Sequence, residues 1–480
     1  VGDEEAGGAM RARGQGLLTL AVIGAVALGA VSFDRLGERT ANAPAPGTAA
    51  SMSWLCPHGG GKGYEGTVFL ANPAGVDVTA RVTEVSAQGQ PDVSEVQVSG
   101  GSQVAVDVDA SARSSSTFVE TFGGWLAAGW LIRGAEGEPG VGAEPCAPGA
   151  GRTWVSAAPT TGQGNDSYLI VMNPFAADAV FDVALFTAER APVRDSELTD
   201  VTLRPRRSTA IRLNTYAQGE EGLGVTVDVS SGRVAASTLV ASDALGIGSV
   251  LASGEPSGRQ LVLTTTGTGR SVLSVAVPTP TAAGGSGPTP AGGLGTTFAA
   301  TLRSGDPPQP AGGLAERSQE PESAAAYPIT TTGPSGIDVV VLEGAPIVAA
   351  LRTPGVGRDG GATAGSFAPA ASWVVTPGVA GTPARPGGLV LNPGGSSATV
   401  EVSTIPGTDG TAEATTVTVP PGAVVALPRE FLDEVGAASL LVTATGSPVV
   451  ALGASTSLGN EGLSLFGLVA GVPIPEPATP

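Results

Sequence analysis

The sequence predicts an all-β protein assembled from short antiparallel strands in tandem units, and three observations lead there. First, a tryptophan is followed 18 or 19 residues later by Asn-Pro at the close of a short apolar run, three times over. The instances are Trp54 with Asn72 and Pro73, Trp154 with Asn173 and Pro174, and Trp373 with Asn392 and Pro393. A recurrence of this kind marks a tandem array. Second, Val, Leu and Ile alternate with polar residues in runs such as VDVTARVTEV at 76–85 and ATVEVSTI at 398–405, the period of a half-buried strand. Third, 72 glycines and 39 prolines coexist with 41% hydrophobic residues. Turn-rich β-structure needs both, because short strands need many turns.

The N-terminal residues read differently. Residues 16–33, GLLTLAVIGAVALGAVSF, carry no charge over 18 positions. As a helix they span about 27 Å, close to the roughly 30 Å of a bilayer core. Arg11 and Arg13 precede the run, which keeps residues 1–15 in the cytoplasm and leaves 34–50 as an outer linker. Met10 is an alternative start. The rival reading is a cleaved signal ending at Ala41-Asn42-Ala43, disfavoured by Pro44 just after the cut and by the length of the apolar run. Either reading puts the bulk outside the cytoplasm, as a single-pass membrane protein or a secreted one.

Four units are expected, at 51–148, 151–256, 257–354 and 372–475, with a linker at 355–371. Each full unit opens on its Trp and runs into the strand that Asn-Pro stops: Asn folds back on the backbone and Pro cannot continue a ladder. Alternating strands follow at 76–85, 180–186 and 398–405, then at 93–98, 198–203 and 414–419. A basic or small-residue turn leads to strands at 101–108, 206–213 and 421–428, and a final strand lies at 124–132, 232–240 and 447–455. About seven strands per hundred residues is the arithmetic of an immunoglobulin-like or fibronectin III-like β-sandwich. A β-propeller is the alternative, because four-stranded units can be cut from the same pattern. The third unit lacks both landmarks but keeps RQLVLTTTG at 259–267 and three late strands within 324–353. Its Pro/Gly/Ser/Ala tracts at 278–293 and 304–323 are expected to be mobile loops or linkers.

Cys56 and Cys146 bracket the first unit. In an exported chain with an even count they are expected to form a disulfide, closing about 90 residues and removing roughly 4 to 5 kcal/mol of unfolded-state entropy.

The order W…P…G…LxNP, alternating strands and a closing V(A)A strand resembles an uncharacterised actinobacterial family of membrane-anchored or secreted proteins carrying a domain of unknown function. The resemblance covers nearly all of 50–475. It implies a cell-envelope protein associated with surface glycan assembly, and supplies no catalytic residues.

Charge and composition exclude more than they select. A net charge of −19 argues against nucleic acid. His58, the single histidine, sits in His58-Gly59-Gly60-Gly61; an esterase oxyanion loop would also need a Gly-x-Ser-x-Gly elbow and a second histidine, and neither exists. Gly61-Lys62 fails as a phosphate loop, because Cys56 holds the first Gly position and Gly63 the Ser/Thr position. One His and two bridged Cys do not make a zinc site. Asp107, Asp109, Asp195, Glu197, Asp200, Glu220 and Glu221 lack the spacing of a calcium loop and read as solvated acidic loops. Trp125 and Trp130 are either core or an exposed sugar platform, and core is preferred because large aromatics are costly to expose. The expectation is a non-enzymatic envelope scaffold with no cofactor or metal, a membrane contact through its N-terminal helix, and an envelope protein or glycan as partner. Oligomeric state stays open. The alternatives are an extracellular glycan-binding protein and, behind it, an envelope hydrolase.

Overall fold

A computed structural model describes residues 52–475 except 136–139, 243–245, 252–255, 264–267, 279–294, 305–308, 355–359, 367, 377–383, 408–409, 436–437 and 459–463. The expected anchor at 16–33 lies outside the described residues. Among the described residues no helix is long and apolar enough to cross a membrane.

The fold is all-β, made of many small antiparallel sheets. The first segment contributes β1 (Met52–Cys56), β2 (Tyr64–Ala71), β3 (Val78–Val85), β4 (Asp92–Val98), β5 (Gln103–Val108), β6 (Ser116–Phe122), β7 (Ala127–Gly134) and β8 (Val141–Pro145). They form two four-stranded sheets, β1-β6-β3-β4 and β5-β2-β7-β8. Alternation along β3 (VTARVTEV, with Val78, Ala80 and Val82 buried) aims one face at Val68, Leu70 and Trp130 of the other sheet, so one apolar cluster is shared between the layers.

The second segment repeats the wiring with β9 (Thr153–Ser156), β10 (Asn165–Asn173), β11 (Ala179–Phe186), β12 (Val201–Leu203), β13 (Arg207–Arg212), β14 (Gly224–Ser231), β15 (Ala235–Ser242) and β16 (Gly246–Leu251). Its sheets are β12-β11-β14-β9 and β13-β10-β15-β16. The strand expected at 198–203 is shorter than its pattern, because Asp195 accepts from the Glu197 N–H and turns Ser196–Leu198 into a 3-10 helix.

The third segment has β17 (Arg259–Leu263), β18 (Thr268–Val277), β19 (Thr296–Arg303), β20 (Gln309–Pro310), β21 (Arg317–Gln319), β22 (Ser323–Thr332), β23 (Gly336–Glu343), β24 (Val348–Pro354) and β25 (Gly360–Ala364). Two short strands, β20 and β21, share the fourth place beside β19. They fall inside the 304–323 tract expected to be a loop. Likewise β25 falls inside the 355–371 stretch expected to be a linker, and pairs with β24 as the segment's eighth strand. Its sequence, GGATA, has neither bulk nor alternation to announce it. Residues 279–293 of the other tract lie outside the described residues.

The fourth segment has β26 (Ser372–Val375), β27 (Ala384–Leu391), β28 (Ala398–Ile405), β29 (Ala414–Val419), β30 (Val424–Ala426), β31 (Ser439–Thr445), β32 (Val450–Leu458), β33 (Ser464–Ala470) and β34 (Val472–Pro473), with a short helix α1 (Arg429–Val435) between β30 and β31. Its sheets are β29-β28-β31-β26-β34 and β30-β27-β32-β33.

Two features of this wiring go beyond seven strands per unit. An eighth strand is added to the edge of the second sheet in every segment. The first strand also pairs with the sixth and the seventh with the second, whereas the immunoglobulin arrangement sets the first strand beside the second and the seventh beside the sixth.

The four segments close into a ring. At each junction the first sheet of one segment packs on the second sheet of the next. Leu55 and Phe118 join the core of the second segment. Phe186 and Val155 pack with Ala276, Ala324 and Ala350, and Leu261 and Leu263 with Leu389 and Leu391. Val374 and Ile405 of the fourth segment pack back into the core of the first. Gln103 Oε1 fixes this last junction by accepting from the Ser439 N–H at 2.9 Å and the Ser439 hydroxyl at 2.6 Å. At the centre β8 lies against β16 and β33, and β25 against both of those. A head-to-tail contact with a fixed rotation either closes or propagates as a filament, and here it closes after four.

Candidate functional site

The sequence landmarks prove to be joints. Asn72, Asn173 and Asn392 are all fully buried. Asn173 donates from Nδ2 to the carbonyls of Ala177 (2.8 Å), Leu203 (3.1 Å) and Arg204 (3.2 Å) and accepts from the Phe175 N–H (3.1 Å). Asn72 makes the same set with Val76, Val98, Ser99 and Ala74, and Asn392 bonds Ser396, Val419 and Gly394. Each asparagine therefore stops its strand, shapes the turn and ties one sheet to the end of the fourth strand in the other. Pro73, Pro174 and Pro393 follow, half-buried, at the start of the turn.

Trp154 Nε1 donates to the Val234 carbonyl at 2.8 Å and Trp373 Nε1 to that of Val449 at 2.7 Å. The third segment has Gln260 at the matching register position, opposite Val339 as Trp154 is opposite Val227. Its Nε2 donates to Ile347, the corresponding carbonyl, at 3.2 Å. Trp54 differs: its buried N–H has no partner among the described residues, and its ring meets Trp125 edge to face at 6.1 Å. Cys56 and Cys146 form a disulfide with a Cα–Cα distance of 4.6 Å.

Trp125 and Trp130 are 6% and 0% exposed. They are core, so a sugar platform cannot be built from them. Among the described residues, no three His, Cys, Asp or Glu side chains are grouped to hold a metal ion.

A polar cleft of about 1080 Å³ lies between the first two segments. Its floor and rim come from the loop before β2, the 161–166 turn before and into β10, and the end of β13. The glycine run delivers the first of these. The His58 ring is buried, with Nδ1 donating to the Gly59 carbonyl at 2.8 Å and Nε2 accepting from Thr117 Oγ1 at 3.1 Å. Burial holds its pKa down to about 4, so the ring is neutral and acts as a spacer. Gly60 (φ +151°) passes so close to Ala110 that a Cβ would lie 2.0 Å from its carbonyl oxygen. The Gly60 carbonyl accepts from Arg113 Nη1, and the Arg113 guanidinium stands 5.0 Å over the Tyr168 ring. The loop then turns outward, leaving Lys62 exposed on the cleft.

Across from it Arg212 pairs with Asp166 at 2.7 Å. Asn214 bridges the two walls of the turn, accepting from Ser167 N–H and donating to the Asn165 carbonyl, both at 2.8 Å. Sequence reasoning weighed Lys62 only as a phosphate loop and passed over Arg113 and Arg212. The one available signal was that the chain's single lysine ends a glycine run.

A second unusual group is Glu144 on β8, 1% exposed at the ring's centre, with Oε1 unpartnered among the described residues. Burial pushes its carboxyl well above the ordinary range, against a hydrogen bond from the Ala364 backbone of β25.

Among known proteins, a family model described as "Family of unknown function (DUF5719)" matches residues 124–284. The chain is thus similar, from β7 through the second segment and past β18, to a family whose function is unknown, in line with the resemblance seen in its motifs. No match was found among curated proteins. A solved structure titled "Crystal structure of tetra-tandem repeat in extending region of large adhesion protein" aligns over 88% of this chain and 100% of its own, at 10% identity and a TM-score of 0.09. A score that low carries no argument.

Proposed function

We propose that the chain is a non-enzymatic scaffolding protein of the cell envelope, held outside the cytoplasm behind an anchor at 16–33. Its four segments, 51–148, 151–256, 257–354 extended to β25, and 372–475, are read as sandwich units of the immunoglobulin-like or fibronectin III-like layer type with exchanged edge strands. The observation that carries this reading is the closure of the ring. Its internal sheet faces are consumed by its own junctions, which leaves loops, outer edge strands and the inter-segment cleft to meet partners. The disulfide supports an oxidising compartment.

Two measurements test it. Fractionation of cells expressing the full chain is expected to place it in the membrane fraction, open to externally added protease and with Cys56 and Cys146 oxidised; a cytosolic chain with free thiols overturns the location. Affinity capture from envelope extract, with protein and glycan fractions analysed separately, is expected to enrich a defined component; enrichment of neither overturns the scaffold role.

Glycan binding is the second reading. The cleft between the first two segments favours it, in place of the buried tryptophans.

A further inference from the structure

We propose that the cleft between the first and second segments binds an acidic glycan chain, a hydroxyl-rich ligand bearing carboxylate or phosphate groups. The inference rests on the glycan-binding reading and gives it a site and a ligand charge. Charge is the first argument. The protein carries 43 acidic residues against 24 basic ones, yet Lys62, Arg113 and Arg212 line one cleft whose lining acid, among the described residues, is Asp166 alone. Three cations against the lining Asp166 and the Glu221 carboxylate, which stands against Gly162 at the rim, leave one formal positive charge in a molecule whose overall field repels anions. A local inversion of this kind concentrates an anionic ligand where long-range attraction is absent.

Availability is the second argument. Lys62 is exposed and pairs with no group among the described residues. Arg113 spends one N–H on Gly60, and its planar fork keeps others for an oxyanion. Arg113 is fixed by Tyr168 beneath it and Lys62 is carried by a loop held by glycines and a buried histidine, so the loop needs little ordering when a ligand arrives.

Size and polarity are the third. At about 1080 Å³ the cleft exceeds the roughly 300–1,000 Å³ of small-molecule sites and is open. An extended chain fits that form better than a single sugar. The exposed amides of Gln163 and Gln218 on its rim offer donors and acceptors to hydroxyls.

Calorimetric titration of the full chain with four hexamers tests the proposal: galacturonate, glycerol phosphate, neutral maltohexaose and oligothymidylate. The expected result is that at least one acidic glycan hexamer binds about tenfold or more tightly than maltohexaose and than the oligonucleotide. Which of the two acids binds separates carboxylate from phosphate recognition. Lys62→Glu, at an exposed position without partners, is expected to lower that affinity by about tenfold or more with an unchanged melting temperature. Arg212→Gln is expected to act in the same direction. Equal binding of neutral and acidic glycans with no response to Lys62→Glu overturns the anionic site and leaves glycan binding standing. Oligothymidylate binding as tight as that of the acidic glycans overturns the glycan preference. Binding of no hexamer overturns the site and the glycan-binding reading together.

Discussion

In the first, second and fourth segments a buried asparagine ties the turn after the second strand to the end of the fourth; in the third, Val277 occupies that place. Register identifies the equivalence, since Val277 faces Ser323 at the start of β22 as Asn173 faces Arg207 at the start of β13. The consequence is visible in chain length. The third strand begins six residues after the asparagine in all three stapled segments, at Val78, Ala179 and Ala398. After Val277 it begins only at Thr296. A staple that satisfies two or three carbonyls and an N–H can hold a tight turn, whereas a valine side chain has no polar group to offer it.

The third segment has other means. Gln260 reaches the carbonyl that tryptophan reaches elsewhere. Asp338 on β23, 3% exposed, receives both Arg259 (2.8 and 2.7 Å) and Arg303 (3.0 and 2.6 Å). Burial alone would raise its pKa, but the two guanidinium hydrogen bonds win and hold the carboxyl below its ordinary range. The same strand order thus survives with local amide staples in the first, second and fourth segments and with a charged triad in the third. Strand order is a property of the apolar pattern; the polar joints set turn length and stability.

The largest effect should come from the triad. Asp338→Asn leaves two arginines without their counter-charge and is expected to destabilise the third segment by about 3–5 kcal/mol. Segment-resolved hydrogen exchange would read it, and a loss below about 1 kcal/mol would show that the triad is not what pins the segment.

Acid should separate the first segment from the third. The folded pKa of His58 is lowered from 6.5 to about 4, so its contribution is fully present above pH 6.5 and is lost as pH falls toward 4. At about 1.4 kcal/mol per pH unit the loss reaches about 3 kcal/mol. Asp338, whose folded pKa is also depressed, keeps its contribution until pH falls below the unfolded value near 3.9. Exchange in β1 to β8 is therefore expected to accelerate before exchange in β17 to β25 on acidification, and simultaneous loss would contradict the assignment.

A reciprocal pair tests the staple. Asn173→Ala strands the buried Leu203 carbonyl and releases the turn at Ala177, and is expected to cost about 2–3 kcal/mol. Val277→Asn does not restore a staple, because it sets an amide among Val275, Phe298 and Ile329, and is expected to destabilise by about 1–3 kcal/mol. Stabilisation by that substitution would mean that the third segment lacks only the side chain and not the turn.

The smallest effect contrasts two tryptophans. Trp154→Phe breaks the bond to Val234, while Trp54→Phe removes an indole N–H that has no partner. Denaturant melts are expected to show the first variant about 1 kcal/mol less stable than the second; equal losses would remove the distinction.

Much of this was legible in sequence. Alternation at 398–405 predicted β28 to the residue, because Val400 and Val402 face a core while Glu401 does not. The Asn-Pro pairs gave the strand stop, and the two cysteines their pairing. Weak signals hid the rest. The eighth strands carry sequences such as VGAEP and GGATA, without the bulk that makes a strand recognisable. Gln260 was invisible as a tryptophan substitute, because only register shows which carbonyl it reaches. Lys62, Arg113 and Arg212 lie 51 and 99 residues apart along the chain, too far for any local pattern to join them.

By itself, then, the sequence determined the β-class, the tandem period, the covalent bracket around the first segment and the joints that punctuate it. These are encoded locally, in side-chain alternation and in residues whose backbone preferences act over a few positions. Only the tertiary structure decided that the array closes on itself, that the first strand pairs with the sixth, and that three cations meet across one cleft. The closure and the cleft depend on the rotation between neighbouring segments, whereas the strand pairing is settled by packing within each one. That rotation is set by the summed packing of many apolar side chains, and no single stretch of sequence records it.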